Sequence, residues 1–182
     1  MAGDNLNALS QGVDPEKVLV VNDRVGALSK EVEEMVDKIV AEVCLELDEY
    51  MKMIDDRLIN SEKAPISDFD LDMFVMNLPS ILYTVSSQQE NLGIREDVAR
   101  AVRNEVYNRV REKAQGTVAD KDTAAELQSQ SESVVNIVYS RAYRKVKLRV
   151  ESAWEMMNSV KKVISRRVSE YELNAQDRGG VR

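Results

Sequence analysis

Apolar residues in the C-terminal part of the chain recur every three or four positions, which is the repeat of one face of an α-helix. The repeat lies within a segment from Asp120 to about Asn174 that contains no Gly or Pro, so the segment is predicted to form one long helix. Its apolar stripe consists of Val135, Tyr139, Ala142, Val146, Val150, Ala153, Met157, Val160, Ile164, Val168 and Tyr171. Such a stripe is stable in water only when other helices cover it.

A second repeat, from Ser29 to Asn60, predicts another amphipathic helix. Its apolar positions are Val32, Met35, Val36, Ile39, Val40, Val43, Leu47, Tyr50, Met51, Ile54 and Leu58. Its outer face is acidic and carries Glu31, Glu33, Glu34, Asp37, Glu42, Glu46, Asp48, Glu49, Asp55 and Asp56. An acidic run of this kind is typical of a solvated face, and the alternative is an ionic partner for the basic C-terminal helix.

Between these helices, Ser61 to Asp68 is predicted to be a linker, and Ser67 with Asp70 forms a candidate capping box for the next helix. That helix is predicted over residues 68–92, with Leu71, Phe74, Val75 and Leu78 buried. A break or kink is expected at Pro79, and Gly93 is expected to end the helix.

A further helix is predicted over residues 95–115, with Val98, Ala101, Val102, Val106 and Val110 on its buried face. Gly116 and Thr117 end it with a turn. Because the connection to the long helix is so short, residues 95–174 are predicted to form an antiparallel hairpin.

The predicted fold class is all-α, an elongated helical bundle with a long C-terminal helical hairpin. Residues 1–28 form an N-terminal arm that is partly disordered, although Asp14-Pro15-Glu16 has the composition of a helix start. The run from Val18 to Val21 suits a strand as well as a helix. Residues 29–174 form a single helical domain, and residues 175–182 form a disordered tail.

Composition narrows the possible chemistry. The 182 residues are 43% hydrophobic and 31% charged and include no His and one Cys, so nucleophiles activated by His and most zinc sites are excluded. Cys44 lies in a helical apolar pattern and is assigned to the core. No phosphate loop or nucleophile elbow is present, so we expect a protein that is not an enzyme and has no cofactor and no metal. No membrane span or secretory signal is visible, which predicts a cytoplasmic protein.

Charge is divided unequally along the chain. Residues 1–92 contain seven Lys or Arg and nineteen Asp or Glu, whereas residues 93–182 contain eighteen and thirteen. Between Arg141 and Arg167 there are nine cations against Glu151 and Glu155. An acidic N-terminal half therefore accompanies a basic C-terminal half, and rows of cations are typical of phosphate binding.

The candidate nucleic-acid-binding site lies on the basic side of the long helix. An aromatic side chain near these cations can stack on the bases of a single strand and so adds to the phosphate contacts. Packing is the favoured assignment for Trp154, whereas packing and stacking are equally open for Tyr143. The candidate residues are Arg141, Arg144, Lys145, Lys147, Lys161, Lys162, Arg166, Arg167 and Tyr143.

Several stretches resemble a known family. They are Gly116 to Lys121, Ala125-Glu126, Tyr139 with Ala142 to Lys147, and Trp154 to Arg167, preceded by Leu78-Pro79 and Leu82-Tyr83. Together, over about residues 78–170, they resemble the C-terminal half of UvsY-like phage recombination mediators, in which a helix that ends in Gly precedes a long helix with paired Lys and Arg. The long acidic N-terminal helix departs from that family.

The resemblance implies a homo-oligomeric accessory protein that holds single-stranded DNA and helps a strand-exchange recombinase displace a single-strand binding protein. For a phage protein, the expected location is the cytoplasm of the host cell. Two alternatives remain open at this point. One is a phage structural or assembly protein built from long helices, and the other is a monomeric bundle whose charges only keep it in solution.

Overall fold

The computed structural model describes residues 15–60 and 65–179. Over these ranges the chain is helical apart from short connections and contains no strand, which confirms the all-α class. We number the helices α1 (Pro15–Ile59), α2 (Asp68–Lys113), α3 (Val118–Gln128) and α4 (Gln130–Gly179). At 1.5 Å per residue, α4 is about 75 Å long, so the bundle is elongated.

Helix α1 begins at Pro15, earlier than the predicted start at Ser29. The first turn contains Pro15 and Glu16, a combination that suits a helix N-terminus because proline lacks the amide hydrogen that this turn leaves unpaired. The β-branched run from Val18 to Val21 is therefore helical. Residues 1–14 of the predicted arm lie outside the described residues.

Helix α2 runs through both positions at which a break was expected. The capping box at its start is confirmed: the Asp70 amide donates to Ser67 Oγ at 3.1 Å, and the Ser67 amide donates to Asp70 Oδ2 at 3.4 Å. Pro79 lies inside the helix, and Gly93 does not end it. The predicted helices 68–92 and 95–115 are thus one helix. Its buried face continues past Pro79 through Leu82 and Val85 and past Gly93 through Ala99.

The predicted single helix from Asp120 is divided at Ser129, the only residue between α3 and α4 that is not helical. Ser129 has φ −96° and ψ 12°, and its hydroxyl donates to the Glu126 carbonyl at 3.4 Å. Serine competes for backbone hydrogen bonds in this way, which favours a helix end. Gly116, with φ 115°, forms the turn that precedes α3, as predicted.

Three contacts fix the direction of α4 relative to α2. Arg167 pairs with Asp68, the ring of Tyr143 lies against Gly93, and Arg103 Nε donates to Ser133 Oγ at 2.8 Å. As the residue number increases along α4, the number of the residue that it contacts in α2 decreases. The two helices are therefore antiparallel. They are not joined by a simple turn, however, because α3 stands between them and packs on the end of α2 through Tyr107 and Asp122.

Helix α1 lies antiparallel to α2 and parallel to α4. Tyr50 donates to the Met73 carbonyl at 3.2 Å, and Arg57 pairs with Asp70 at 3.1 Å. The core between the three helices includes the middle of the predicted α4 stripe and also Cys44, whose burial is confirmed. Its most deeply buried side chains include Val36, Val40, Cys44, Leu47, Ile54, Leu71, Leu78, Leu82, Ala142, Val146, Ala153 and Val160.

Predicted burial fails at the two ends of the bundle. Ala101 is exposed, and the side chains of Val98 and Val102 are 57% and 44% exposed, because α2 turns Ala99 toward the core instead. At the C-terminus, Val168 and Tyr171 are exposed on a helix that continues to Gly179, beyond the predicted end at Asn174. The part of the predicted tail at residues 175–179 is therefore helical.

Candidate nucleic-acid interface

A group of exposed cations lies on the solvent side of α4 and on its two flanks. Arg141, Arg144, Lys161 and Lys162 are exposed, and no acidic side chain in residues 15–60 or 65–179 forms an ion pair with any of them. Arg144 and Lys162 are eighteen positions apart, which is five full turns, so both point in the same direction about 27 Å apart. These four residues form what we call the open cation group.

Two other predicted site residues are held by acids of neighbouring helices. Lys145 Nζ lies 2.6 Å from Asp37 Oδ1 of α1, and Arg167 Nη1 lies 2.7 Å from Asp68 Oδ1 of α2. Arg149, which is not among the predicted site residues, pairs with Asp48 of α1. The predicted basic face is therefore not uniformly available, because part of it cross-links α4 to the other helices.

Lys147 and Arg166 have acidic neighbours on α4 itself. Lys147 Nζ is 3.9 Å from Glu151 Oε1, and Arg166 Nε is 2.9 Å from Glu170 Oε1. Pairs of this kind, one turn apart on an exposed helix face, contribute only about 0.3–0.5 kcal/mol and are screened by salt. A phosphate competes readily for such cations, so these two residues extend the open cation group at a small cost.

Tyr143 is half-buried between α4 and α2. A Cβ atom added to Gly93 would lie 3.4 Å from Tyr143 Cε2, so the tyrosine ring covers the glycine backbone of α2. A ring that packs against a neighbouring helix does not offer both faces to a base. Of the two interpretations left open by the sequence, this position favours packing.

Trp154 is 46% exposed, although sequence reasoning assigned it to packing. It lies seven positions after Lys147 and seven before Lys161, and residues seven apart on a helix share one face. An exposed indole with a cation two turns away on each side suits base stacking combined with phosphate contacts. The seven-residue spacing was visible in the sequence and is the signal that would have identified this row.

The acidic face of α1 is in part an ionic partner of α4 and in part a solvated surface, the two interpretations that the sequence left open. Asp37 and Asp48 pair with cations of α4, whereas Glu33, Glu46 and Glu49 are exposed to solvent. The partner interpretation is thus correct for two acids, and the solvated interpretation holds for others on the same helix. These ion pairs fix the position of α1 over α4 and reduce the charge available to an external anion.

The described part of the chain contains no cluster of three His, Cys, Asp or Glu residues arranged to hold a metal ion. The one thiol is enclosed, and burial raises the pKa of Cys44, which disfavours the reactive thiolate. None of the helices in residues 15–59 and 68–179 combines the length and apolar character needed to cross a bilayer.

Comparison of the chain with family models, with curated proteins and with solved structures gives no match. The resemblance to recombination mediators is therefore supported only by the sequence stretches named above.

Proposed function

We propose that the protein binds single-stranded DNA along the outer side of α4 as a recombination mediator, a homo-oligomeric accessory factor that assists a strand-exchange recombinase. The observation that carries the proposal is the open cation group together with Trp154. Cations without acidic partners attract phosphates by counterion release, and they do so without regard to sequence. An exposed indole adds stacking, which every base accepts.

The spacing of these groups suits an extended strand. The distance of about 27 Å between Arg144 and Lys162 exceeds what one phosphate can bridge, so several nucleotides lie along the helix at once. Each exposed phosphate contact is individually weak. Self-association supports the function because several copies of the row, held together, bind one strand with the affinity of many linked contacts.

A partnership with a recombinase and a single-strand binding protein follows from the resemblance and belongs to the same proposal. A host-cell cytoplasmic location is part of it. Displacement of a tightly bound protein from DNA requires a competitor that occupies the backbone without sequence preference, and a row of cations meets that requirement. The acidic exposed side of α1 is then available to basic surfaces of partner proteins.

The test uses the single tryptophan of the chain, Trp154, as the reporter. We expect its fluorescence to change when an unlabelled single-stranded oligonucleotide is titrated at about 50 mM salt, and the affinity to fall steeply as salt is raised. The absence of binding at low salt, or binding that salt does not affect, would exclude the proposal. A duplex of the same length is the comparison, because paired bases do not stack on Trp154.

A phage structural or assembly protein is the second candidate, and one observation favours it. Large apolar side chains are exposed at the end of the bundle formed by the start of α1, the second half of α2 and the start of α4, among them Val21, Val98 and Val135. Surfaces of this kind are typical of contacts between proteins. Under this alternative the protein assembles with copies of itself, and the oligonucleotide titration gives no signal.

A further inference from the structure

An apolar groove lies between the second half of α2 and the first turns of α4. Its volume is about 440 Å³, and its walls include Ile94, Val98, Val102, Val135 and Tyr139. Ile94, Val98 and Val102 follow each other at four-residue steps, so they form one ridge along α2. The groove is open to solvent where a three-helix bundle would have its third helix.

Helix α1 does not cover this groove. Between residues 35 and 42 it lies beside Val135 and Tyr139, and the side chains that precede this contact, from Val18 to Glu31, are all exposed. Three of them, Val18, Val21 and Val25, recur at steps of three and four and form a second apolar stripe. Leu28, one turn later, already lines a cavity with Val134 and Ile137 of α4 in the same chain. The described part of the chain thus has an open apolar groove and, from Val18 to Val25, an exposed apolar stripe on α1.

We infer that the first four turns of α1 from a second copy of this chain occupy the groove. The dimensions match: the stripe from Val18 to Val25 is about 11 Å long, and the ridge from Ile94 to Val102 is about 12 Å long. Both surfaces are apolar and belong to every copy, so each copy offers a helix and a receiving groove. The contact completes the three-helix bundle at the end where a single chain leaves it open.

Charge at the groove supports this occupant. One carboxylate oxygen of Glu132, Oε2, is buried and has no hydrogen-bond partner among the described residues, and Glu132 is one of the residues that line the groove. A buried carboxylate oxygen without a donor is costly. Arg24 is exposed and flanks the apolar stripe of α1, so the arriving helix brings a guanidinium group to the edge of the groove. The inferred contact pairs Arg24 of one copy with Glu132 of the other.

This inference specifies the contact behind the self-association in the proposed function, and its test requires no DNA. Light scattering on the full chain is expected to give at least twice the monomer mass of 20.6 kDa. Val98→Glu places a charge in the groove and is expected to reduce the mass to that of the monomer. Leu148→Glu is the matched control, because Leu148 is 62% exposed on α4 outside the groove, and it is expected to leave the mass unchanged.

Val21→Glu is a second variant, on the inserting side, and it is also expected to give the monomer mass. Val21 is 60% exposed, so the variant should keep the helicity of the wild type, which circular dichroism measures. A monomeric wild-type chain, or a Val98→Glu variant whose mass equals that of the wild type, would overturn the inference. A monomer that still binds oligonucleotide would overturn it and leave the DNA-binding part of the proposed function standing without its self-association. An assembly that binds no DNA would exclude the proposed DNA binding and leave this inference standing.

Cross-linking then identifies the surfaces that meet. Val21→Cys and Val98→Cys proteins carrying tags of different size are mixed, equilibrated and oxidised, and a disulfide between the two variants is expected. The native Cys44 is buried and is not expected to react, which the wild-type chain verifies. A disulfide that forms only between two Val21→Cys chains would show that α1 pairs with α1, and the inference would be wrong.

Discussion

Lys145 and Asp37 are 108 positions apart in the chain, yet Lys145 Nζ lies 2.6 Å from Asp37 Oδ1. The contact joins the basic helix α4 to the acidic helix α1. It shows that the opposite charges of the two halves of the chain meet within one molecule. It also divides the cations of α4 into those that α1 neutralises and those that remain open to solvent.

Releasing the neutralised cations should strengthen binding to DNA. We predict that the double variant Asp37→Asn and Asp48→Asn binds a single-stranded oligonucleotide more tightly than the wild type, because Lys145 and Arg149 then lose their acidic partners. Since both pairs are exposed, the loss of stability should stay below about 2 kcal/mol in total.

The matched control is Asp55→Asn with Asp56→Asn, which removes the same negative charge from α1 without breaking a pair with α4. An equal gain in affinity for both double variants would mean that net charge alone matters. Fluorescence titration of Trp154 at fixed salt measures the affinity, and thermal unfolding measures the stability.

Removing open cations should reduce the dependence of binding on salt. For the double variant Arg144→Ala and Lys162→Ala, we expect the slope of log affinity against log salt concentration to become shallower by about 1.4 per copy bound, because each lost contact with a single strand contributes about 0.7. Lys52→Ala on α1 is the control and should leave the slope unchanged. A wild-type slope in the double variant would show that phosphates do not contact these residues.

Trp154 is predicted to contribute through stacking. Trp154→Ala should weaken binding of a single strand by about 1–3 kcal/mol, whereas Trp154→Phe should retain part of the affinity because it keeps an aromatic face. Anisotropy of a labelled oligonucleotide measures both variants, since the intrinsic reporter is lost. Tyr83→Ala, which removes an exposed aromatic residue from α2, should have no effect. Equal binding by the wild type and Trp154→Ala would contradict the stacking role.

Glycines inside the helices offer a test of local energetics. Gly26 lies in α1 with nothing within 4 Å of an added Cβ, so Gly26→Ala should raise the free energy of unfolding by up to about 1 kcal/mol through helix propensity. Gly93→Ala should gain at least as much, because the added Cβ would lie 3.4 Å from Tyr143 Cε2, which is an ordinary van der Waals distance. Chemical denaturation compares the two, and a loss of stability at Gly93 would contradict the contact distance with Tyr143.

The capping boxes at the starts of α2 and α3 should make the stability of the fold depend on pH. The hydrogen bond from the Thr117 hydroxyl lowers the pKa of Asp120 below 3.8, and the Ser67 hydroxyl lowers the pKa of Asp70 in the same way. A carboxyl group whose pKa is lower in the folded state stabilises the fold above its ordinary pKa, and this contribution disappears as the pH falls through the lowered value.

We therefore expect Asp120→Asn to lower the melting temperature at pH 6 and to have a smaller effect at about pH 2.5, where a larger share of the wild-type carboxyl group is protonated. Asp55→Asn serves as the control for the loss of a charge. A difference from the wild type that is the same at both pH values would contradict the assignment of the cap.

Periodicity predicted the class of the fold and much of its core, because burial follows the 3.6-residue repeat wherever a helix packs along its length. Val146 and Leu47 illustrate this. Helix ends were predicted less well. Pro79 and Gly93 are local signals for a break, and packing of the surrounding apolar face outweighs them. At Ser129 the reverse error occurs: the sequence there contains no Gly or Pro and predicted a continuous helix, but α3 ends and α4 begins at this residue.

The candidate site was predicted by residue type and only partly by position. The sequence identified the cations of α4, but the pairing of Lys145 with Asp37 depends on how α1 lies across α4, which no local pattern encodes. Trp154 was misassigned because it borders the apolar stripe, and only the fold shows how much of its ring remains exposed. Contacts between helices thus decide which charged and aromatic residues an external ligand can reach.

The position of Ser129, between α3 and α4, determines where the protein tolerates the insertion of a residue. A residue inserted inside α4 would rotate everything downstream by about 100°, carrying Lys161 and Lys162 away from the side that Arg144 occupies. The same insertion beside Ser129 would precede every cation of α4, so the alignment of the cations along α4 would survive. Natural length variants of this protein should therefore have their insertions beside Ser129.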